Sequence, residues 1–488
     1  MMRRGRGFHT LAKDLDRVTH AEEAQRHAFV PVLRLGLAVL MLVAGLVAAM
    51  GLGLQQPNLA ALIAALVVAG WLGLAIGSND VANSLGPAYG AGAIGLMPGL
   101  MLIALAEIAG ASLAGGAVTQ RLAVGIVDPA QLAPGPLAQV VMLSALVGAA
   151  AWITAATAAG LPVSTSHSIV GGIAGAGIAA FGASSVGWGA LAAIATTWML
   201  TPLLAGALAG ALVVVLRRNV LEAPDRGRAA LRWLPPMVGA MCGLFAAYAM
   251  LLARPVTGTA LALPAGAVAA LIGGALMRRN LVRELAGGAD RGGSKRLFRP
   301  PLLVAAAMMG FAHGANDVGN VAGPLSVVLG GGSAAAIAAL PTASWSTASL
   351  PVAALLLAAL AIALGTLMFG RRLVVMVGSG ITRLNAARAF CVSLATAVTV
   401  LTASAFGLPV STTHVAVGGV FGVGFAREWL DRRAARNRLP VPAEENRRRL
   451  LIRRSHVATI TVAWIVTVPV TALLGGLGCR LILWAAAP

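Results

Sequence analysis

The chain has 488 residues, of which 58% are hydrophobic and 11% charged, with a mean hydropathy of +0.86 and a formal net charge of +20. Soluble domains carry charge at about 25% of positions, so a soluble enzyme or binding module is excluded. Apolar runs near 20 residues recur along the whole length, as membrane-spanning helices require.

The arginine surplus does not call for a nucleic-acid partner. The arginines fall between apolar runs, as they do in the cytoplasmic loops of membrane proteins. Cys242, Cys391 and Cys479 are scattered. They form no CxxC pair and imply neither a disulfide framework nor a metal site. No cleavable signal peptide is visible, because a charged stretch of nearly thirty residues precedes the first apolar run.

In chain order, residues 1–30 are expected to be a cytoplasmic tail and 31–53 an extra transmembrane helix ending outside. A run at 58–77 leads inward to Gly77-Ser-Asn-Asp-Val-Ala-Asn-Ser-Leu-Gly-Pro87. Residues 95–118 return outward, and 137–159 start from outside. They lead into Gly160-Leu-Pro-Val-Ser-Thr-Ser-His167. Residues 188–215 cross inward to Arg217 and Arg218.

A hairpin over 234–277 lies between arginine-rich inside loops, so 216–299 separates two larger units, 58–215 and 300–478. Residues 301–315 run outward into Gly314-Ala-Asn-Asp-Val-Gly-Asn-Val-Ala-Gly-Pro324. Residues 351–369 return inward. The second hydroxyl stretch, Gly407-Leu-Pro-Val-Ser-Thr-Thr-His414, is approached from inside. A basic loop at 427–454 and a last run at 457–478 leave the C-terminus outside.

The hydroxyl stretches, Gly160–Gly177 and Gly407–Gly424, match at twelve of eighteen positions. Each duplicated motif is reached from opposite sides of the membrane. The halves are therefore inverted-topology repeats, an arrangement typical of secondary transporters with a site at the repeat interface.

Of the sixteen acidic residues, only Asp80, Glu107 and Asp317 fall in apolar runs. A carboxylate at membrane depth is costly unless paired, protonated or ion-bound. Asp80 and Asp317 are duplicated and flanked by Asn79, Asn83, Asn316 and Asn320, whose oxygens suit hard cations. A proton carrier fits equally well. Gly77, Gly86, Pro87, Gly314, Gly323 and Pro324 are expected to break these helices and expose carbonyls. Glu107 has no acidic counterpart in the second half.

Gly-Leu-Pro ends a helix, and Ser164, Thr165, Ser411 and Thr412 are good N-cap types for the next. Ser166 and Thr413 add hydroxyls. Two broken-helix starts, with free N–H groups and positive dipole ends, suit an anion without a lysine or arginine. The bland alternative is capping alone. His167, His414 and His313 are accessory candidates, or polar packing residues.

SNDVANSLGP, GANDVGNVAGP and the two GLPVST[ST]H stretches resemble the signatures of the inorganic phosphate transporter (PiT) family, over roughly 58–215 and 300–478. The chain departs from them at Ser78, at Gly319, and at Ser393, where many members carry an acidic residue. The resemblance implies a symporter for inorganic phosphate driven by sodium or protons. It implies that Ser164–Ser166, Ser411–Thr413, Asn79 and Asn316 line the phosphate site. Asp80, Asp317, Asn83, Asn320 and Glu107 would serve the cation, with Asp80 and Asp317 as the ligands if it is Na+.

No cofactor is expected beyond the co-transported Na+ or H+. The expected partners are phosphate, the coupling cation and membrane lipid, with homo-oligomerisation left open. The expected location is the inner (plasma) membrane, with the N-terminus cytoplasmic and the C-terminus outside. The expected fold is all-α, with about 11–12 membrane segments, inverted repeats and re-entrant hairpins. Sulfate permease is the rival substrate reading. A non-transporting receptor or scaffold, or a channel, are rivals of other classes.

Overall fold

A computed structural model describes residues 57–128, 131–132, 135–158, 163–253, 258–287, 294–331, 350–376, 384–435 and 454–485. The tail, the 31–53 run, Gly160–Pro162 and residues 436–453 of the basic loop lie outside the described residues. Thirteen α-helices follow one another among the described residues. They are α1 Pro57–Gly90, α2 Leu96–Ala114, α3 Gly116–Val124, α4 Pro136–Ala158, α5 Thr165–Phe181, α6 Trp188–Leu216, α7 Arg226–Ala253, α8 Gly258–Ala286, α9 Ser294–Ser326, α10 Leu350–Met376, α11 Ala386–Ala405, α12 Thr412–Ala435 and α13 Arg454–Ala485.

Nine helices among the described residues are long and apolar enough to cross a membrane. Hydrocarbon offers backbone groups no partners, so helices that bond internally are the only open-chain solution. With these spans the chain is an integral membrane protein. Among the described residues there is no strand, only an isolated bridge between Val127 and Val186.

The halves pack with exchange symmetry. Helix α1 lies on α10 as α9 lies on α2, and α5 lies on α13 as α12 lies on α6. Lipid offers no hydrophobic drive for helix pairing, so close van der Waals contact must supply it, through small residues. A Cβ on Gly77 would meet the Ile362 carbonyl of α10, and one on Gly314 the Glu107 carbonyl of α2. Gly422 of α12 likewise sits against the backbone of Gly206 in α6.

The glycines and prolines of the NDV segments do not break their helices, contrary to expectation. Both α1 and α9 run through Asp80 and Asp317 unbroken, with Pro87 and Pro324 inside them. Gly77, Gly314 and Gly323 serve helix crossings instead of helix breaks. One carbonyl does find an outside partner, as Thr366 Oγ1 donates to Gly77 O at 3.2 Å. A second correction concerns the basic loop, whose residues 427–435 continue α12. The pairs Arg427–Asp431 and Glu428–Arg432 at i, i+4 favour that continuation.

Helix α6 fixes the orientation of the hairpins. Near its start, Gly187 N–H donates to Ile126 O and Asp128 N–H to Ser185 O, at the base of the α4–α5 hairpin. Ten residues on, Trp198 Nε1 donates to Pro409 O at the tip of the α11–α12 hairpin. At its far end Arg217 meets Asp431 near the base of that second hairpin. The two hairpins thus enter from opposite faces and meet tip to tip, as the inverted pattern requires. Helices α1 and α9 also run oppositely. Arg299 Nε, near the start of α9, donates to Ala93 O, just past the end of α1. The tip between α11 and α12 turns at Gly407, whose φ of 65° favours glycine.

Candidate functional site

The hairpin tips form two facing helix starts. Ser164 caps α5, its Oγ accepting from His167 N–H at 3.2 Å. Ser411 does the same for α12 through His414 N–H at 3.3 Å. In both helices the first-turn amides, those of Thr165, Ser166, Thr412 and Thr413, have no acceptor within the helix. The tips touch directly, with Ser166 Oγ donating to Val410 O at 2.9 Å. The rings of His167 and His414 stand 4.8 Å apart, and His167 stacks on Trp198 at 3.7 Å. His167 Nδ1 lies 2.6 Å from Ser164 Oγ, so the ring braces the cap.

Asp80 and Asp317 lie beside these tips, both buried. The Thr165 hydroxyl stands 3.4 Å from Asp80 Oδ2 and from Asp317 Oδ2. Thr413 Oγ1 donates to Asp80 Oδ1 at 3.2 Å, and Asn79 Nδ2 reaches the same oxygen at 3.2 Å. The halves are laced crosswise. Asn83 of the first donates to Thr413 of the second at 2.8 Å. Asn320 of the second donates to Ser166 of the first at 3.2 Å.

Two carboxylates sharing one hydroxyl in a buried site call for a proton or a positive group nearby, and His313 Nε2 stands 3.9 Å from Asp80 Oδ2 and 3.3 Å from Asp317 Oδ2. Two further buried acceptors, Asp317 Oδ1 and Asn320 Oδ1, have no hydrogen-bond donor among the described residues. Asp80, His313 and Asp317 each offer a ligand atom within 4.8 Å of the others.

Glu107 and His313 belong to the same cluster. His313 Nδ1 is 2.8 Å from Glu107 Oε1, and its Nε2 is 3.3 Å from Asp317 Oδ2. Glu107 Oε2 accepts from Thr366 at 2.8 Å. Its partner is therefore a histidine on α9 and not a second carboxylate. Asn316 goes elsewhere. Its amide donates to Ser404 Oγ and Leu408 O, and its Oδ1 accepts from Val410 N–H. These contacts are with the last turn of α11 and the linker that follows it, so its side chain anchors the hairpin tip.

Thr366, Ser404 and Trp198 are site residues that sequence reasoning missed. The only available signal was a polar or indole group inside an apolar run.

The model of the phosphate transporter family matches residues 76–475. The chain belongs to the phosphate transporter family. A relative from Helicobacter pylori strain J99 is 34% identical over 524 residues, covering 95% of this chain and 98% of its own length. Inorganic phosphate transporter 2-1 of Arabidopsis thaliana, a chloroplastic protein, is 32% identical over 82% of this chain and 68% of its own length. A solved structure of the sodium-dependent phosphate transporter superposes with a TM-score of 0.73 at 29% identity, covering 87% of this chain and 99% of that one. The family is one of transporters, not enzymes, and its match spans both hairpins and both NDV motifs.

Proposed function

We propose that this phosphate transporter is a secondary active symporter, taking inorganic phosphate inward with sodium by alternating access. The observation that carries this is the meeting of two oppositely directed helix starts beside two buried aspartates. Phosphate sits between Ser164–Ser166 and Ser411–Thr413, where uncapped amides and hydroxyls donate and the two positive helix ends offset its charge. The cation sits at Asp80 and Asp317, with Asn320 Oδ1 and Asp317 Oδ1 as ready oxygen ligands. It relieves the carboxylate pair and screens the anion from it, so neither charge is well accommodated alone. That mutual dependence couples the two fluxes.

Sodium is favoured by the donor set, which is mostly hard oxygen, and by the structural relative, a sodium-dependent phosphate transporter. The repeats 58–215 and 300–478 rock about this interface. The N-terminus is placed on the cytoplasmic side and the C-terminus outside.

Uptake of labelled phosphate into proteoliposomes, with sodium and pH gradients imposed separately, tests the coupling. Uphill uptake should follow the sodium gradient. Uptake driven only by the pH gradient would move the assignment to protons. An excess of sulfate should leave uptake unchanged, and competition by it would overturn the substrate assignment. Absence of any flux would favour a receptor or scaffold.

A further inference from the structure

A second charged cavity lies away from the transport site, where α6, α11 and α12 meet. The arginine distribution puts this end on the cytoplasmic side. The cavity measures about 300 Å³, and its lining includes Arg217, Glu222, Asn385, Arg388, Arg427 and Asp431.

Its ion pairs are uneven. Arg217 Nε binds Glu222 Oε1 at 2.6 Å, and Arg217 Nη1 binds Asp431 Oδ1 at 2.7 Å. Arg427 Nε reaches Asp431 Oδ2 at 3.4 Å. Both carboxylates are thus engaged, Asp431 by two arginines. Arg388 is half-buried, and among the described residues its guanidinium makes no ion pair and no hydrogen bond. Three arginines against two carboxylates leave the lining one positive charge in excess.

A guanidinium cannot shed its proton, so among the described residues this charge is left in excess and suits an anion. Its planar fork matches an oxyanion bidentately. The start of α11 adds to the field. Asn385 caps it through Arg388 N–H at 3.0 Å, and Ala387 of the first turn lines the cavity.

We propose that this cavity binds one phosphate-type oxyanion, held by Arg388 together with Arg217 and Arg427. Free cytoplasmic phosphate and the headgroup of an anionic phospholipid present the same chemistry. The bound anion ties the base of the α11–α12 hairpin to α6. Arg388 lies sixteen residues before Ser404 on α11, roughly 24 Å from the transport site along that helix. The proposal therefore does not depend on how the central site works.

The test uses full-length wild type, Arg388→Gln and Arg388→Lys. Labelled inorganic phosphate is titrated by equilibrium dialysis in detergent. Phosphatidylglycerol retained per chain is counted by native mass spectrometry, from nanodiscs of phosphatidylglycerol and phosphatidylcholine. Arg388→Gln should lose one equivalent of one of the two probes, and which probe it is identifies the source. Arg388→Lys should keep it about tenfold more weakly, having lost the fork. Retained phosphate uptake by Arg388→Gln would show that the central site is intact. Equal stoichiometry and affinity for both probes in all three proteins would overturn the proposal. If Arg388→Gln fails to fold, unchanged binding by Arg388→Lys overturns it alone.

Discussion

The crosswise lacing of the halves can be measured as a coupling energy. Asn83 Nδ2 donates to Thr413 Oγ1 at 2.8 Å, and Thr413 donates on to Asp80 at 3.2 Å. Asn83→Ala and Thr413→Val each remove the first bond, and each also takes a donor from the Asp80 network. Each single change should cost about 1–3 kcal/mol, as expected when a buried partner is left short. The double change loses the shared bond once, so the two costs should fall short of additivity by about that bond. Between neutral groups such a bond is worth about 1 kcal/mol, and interhelical pairs in membranes average about 0.6 with a ceiling near 1.7. A coupling of about 0.5–1.5 kcal/mol is expected. Reversible unfolding of the purified proteins in SDS measures it. Asn83 and Ser166, in the same half, share no hydrogen bond and should couple less. If that within-half pair couples as strongly as Asn83–Thr413, or if Asn83–Thr413 couples not at all, the lacing is wrong.

Other expectations follow from single contacts. Asp80→Asn and Asp317→Asn should each abolish phosphate uptake while the protein still inserts, as membrane fractionation with a proteoliposome assay would show. Gly110→Ala pushes a methyl into the Phe311 carbonyl where α2 crosses α9. It should cost about 1–3 kcal/mol and lower the melting temperature, whereas Gly189→Ala, with nothing within 4 Å, should not. Thr366→Val removes the donor to Glu107 Oε2 at nearly constant volume and should destabilise by about 1–3 kcal/mol, with a matching fall in uptake. Trp198→Phe keeps the stack on His167 but loses the bond to Pro409 O, so phosphate binding should weaken several-fold as the tip loosens, by about 1 kcal/mol.

Much of the site was legible because it is duplicated. Polar runs are costly in hydrocarbon, and two copies reached from opposite sides already imply a shared interface. The cap assignments at Ser164 and Ser411 needed only local chemistry. The failures were of a different kind. Gly77 and Gly314 look like helix breakers in isolation, but their function is set by a helix hundreds of residues away that needs the missing Cβ. Glu107 and His313 are 206 residues apart, and no periodicity links them. The contacts that Asn316 makes with Ser404 of α11 and with Leu408 and Val410 of the linker could likewise not be read from sequence spacing.

The site is not fully two-fold, and the departure bears on the proposed coupling. His313 stands four residues before Asp317. Four residues before Asp80 stands Ile76, fully buried. Only the second carboxylate therefore carries a histidine on its own helix, and through it Glu107 and Thr366. Asp80 meets the same histidine only at 3.9 Å and from another helix, and its closer donors are hydroxyl and amide groups, from Thr413, Asn79 and Asn83. A symmetric pair of helix starts suits a tetrahedral anion lying on the axis. A symmetric pair of carboxylates would offer the cation two equal positions and no fixed relation to the anion. With unequal partners the carboxylates present different fields, and the proposed mechanism accordingly gives the cation one preferred position, beside Asp317 Oδ1 and Asn320 Oδ1. In the proposed mechanism the duplicated part of the sequence sets where phosphate sits, and the unduplicated part sets where its cation must be.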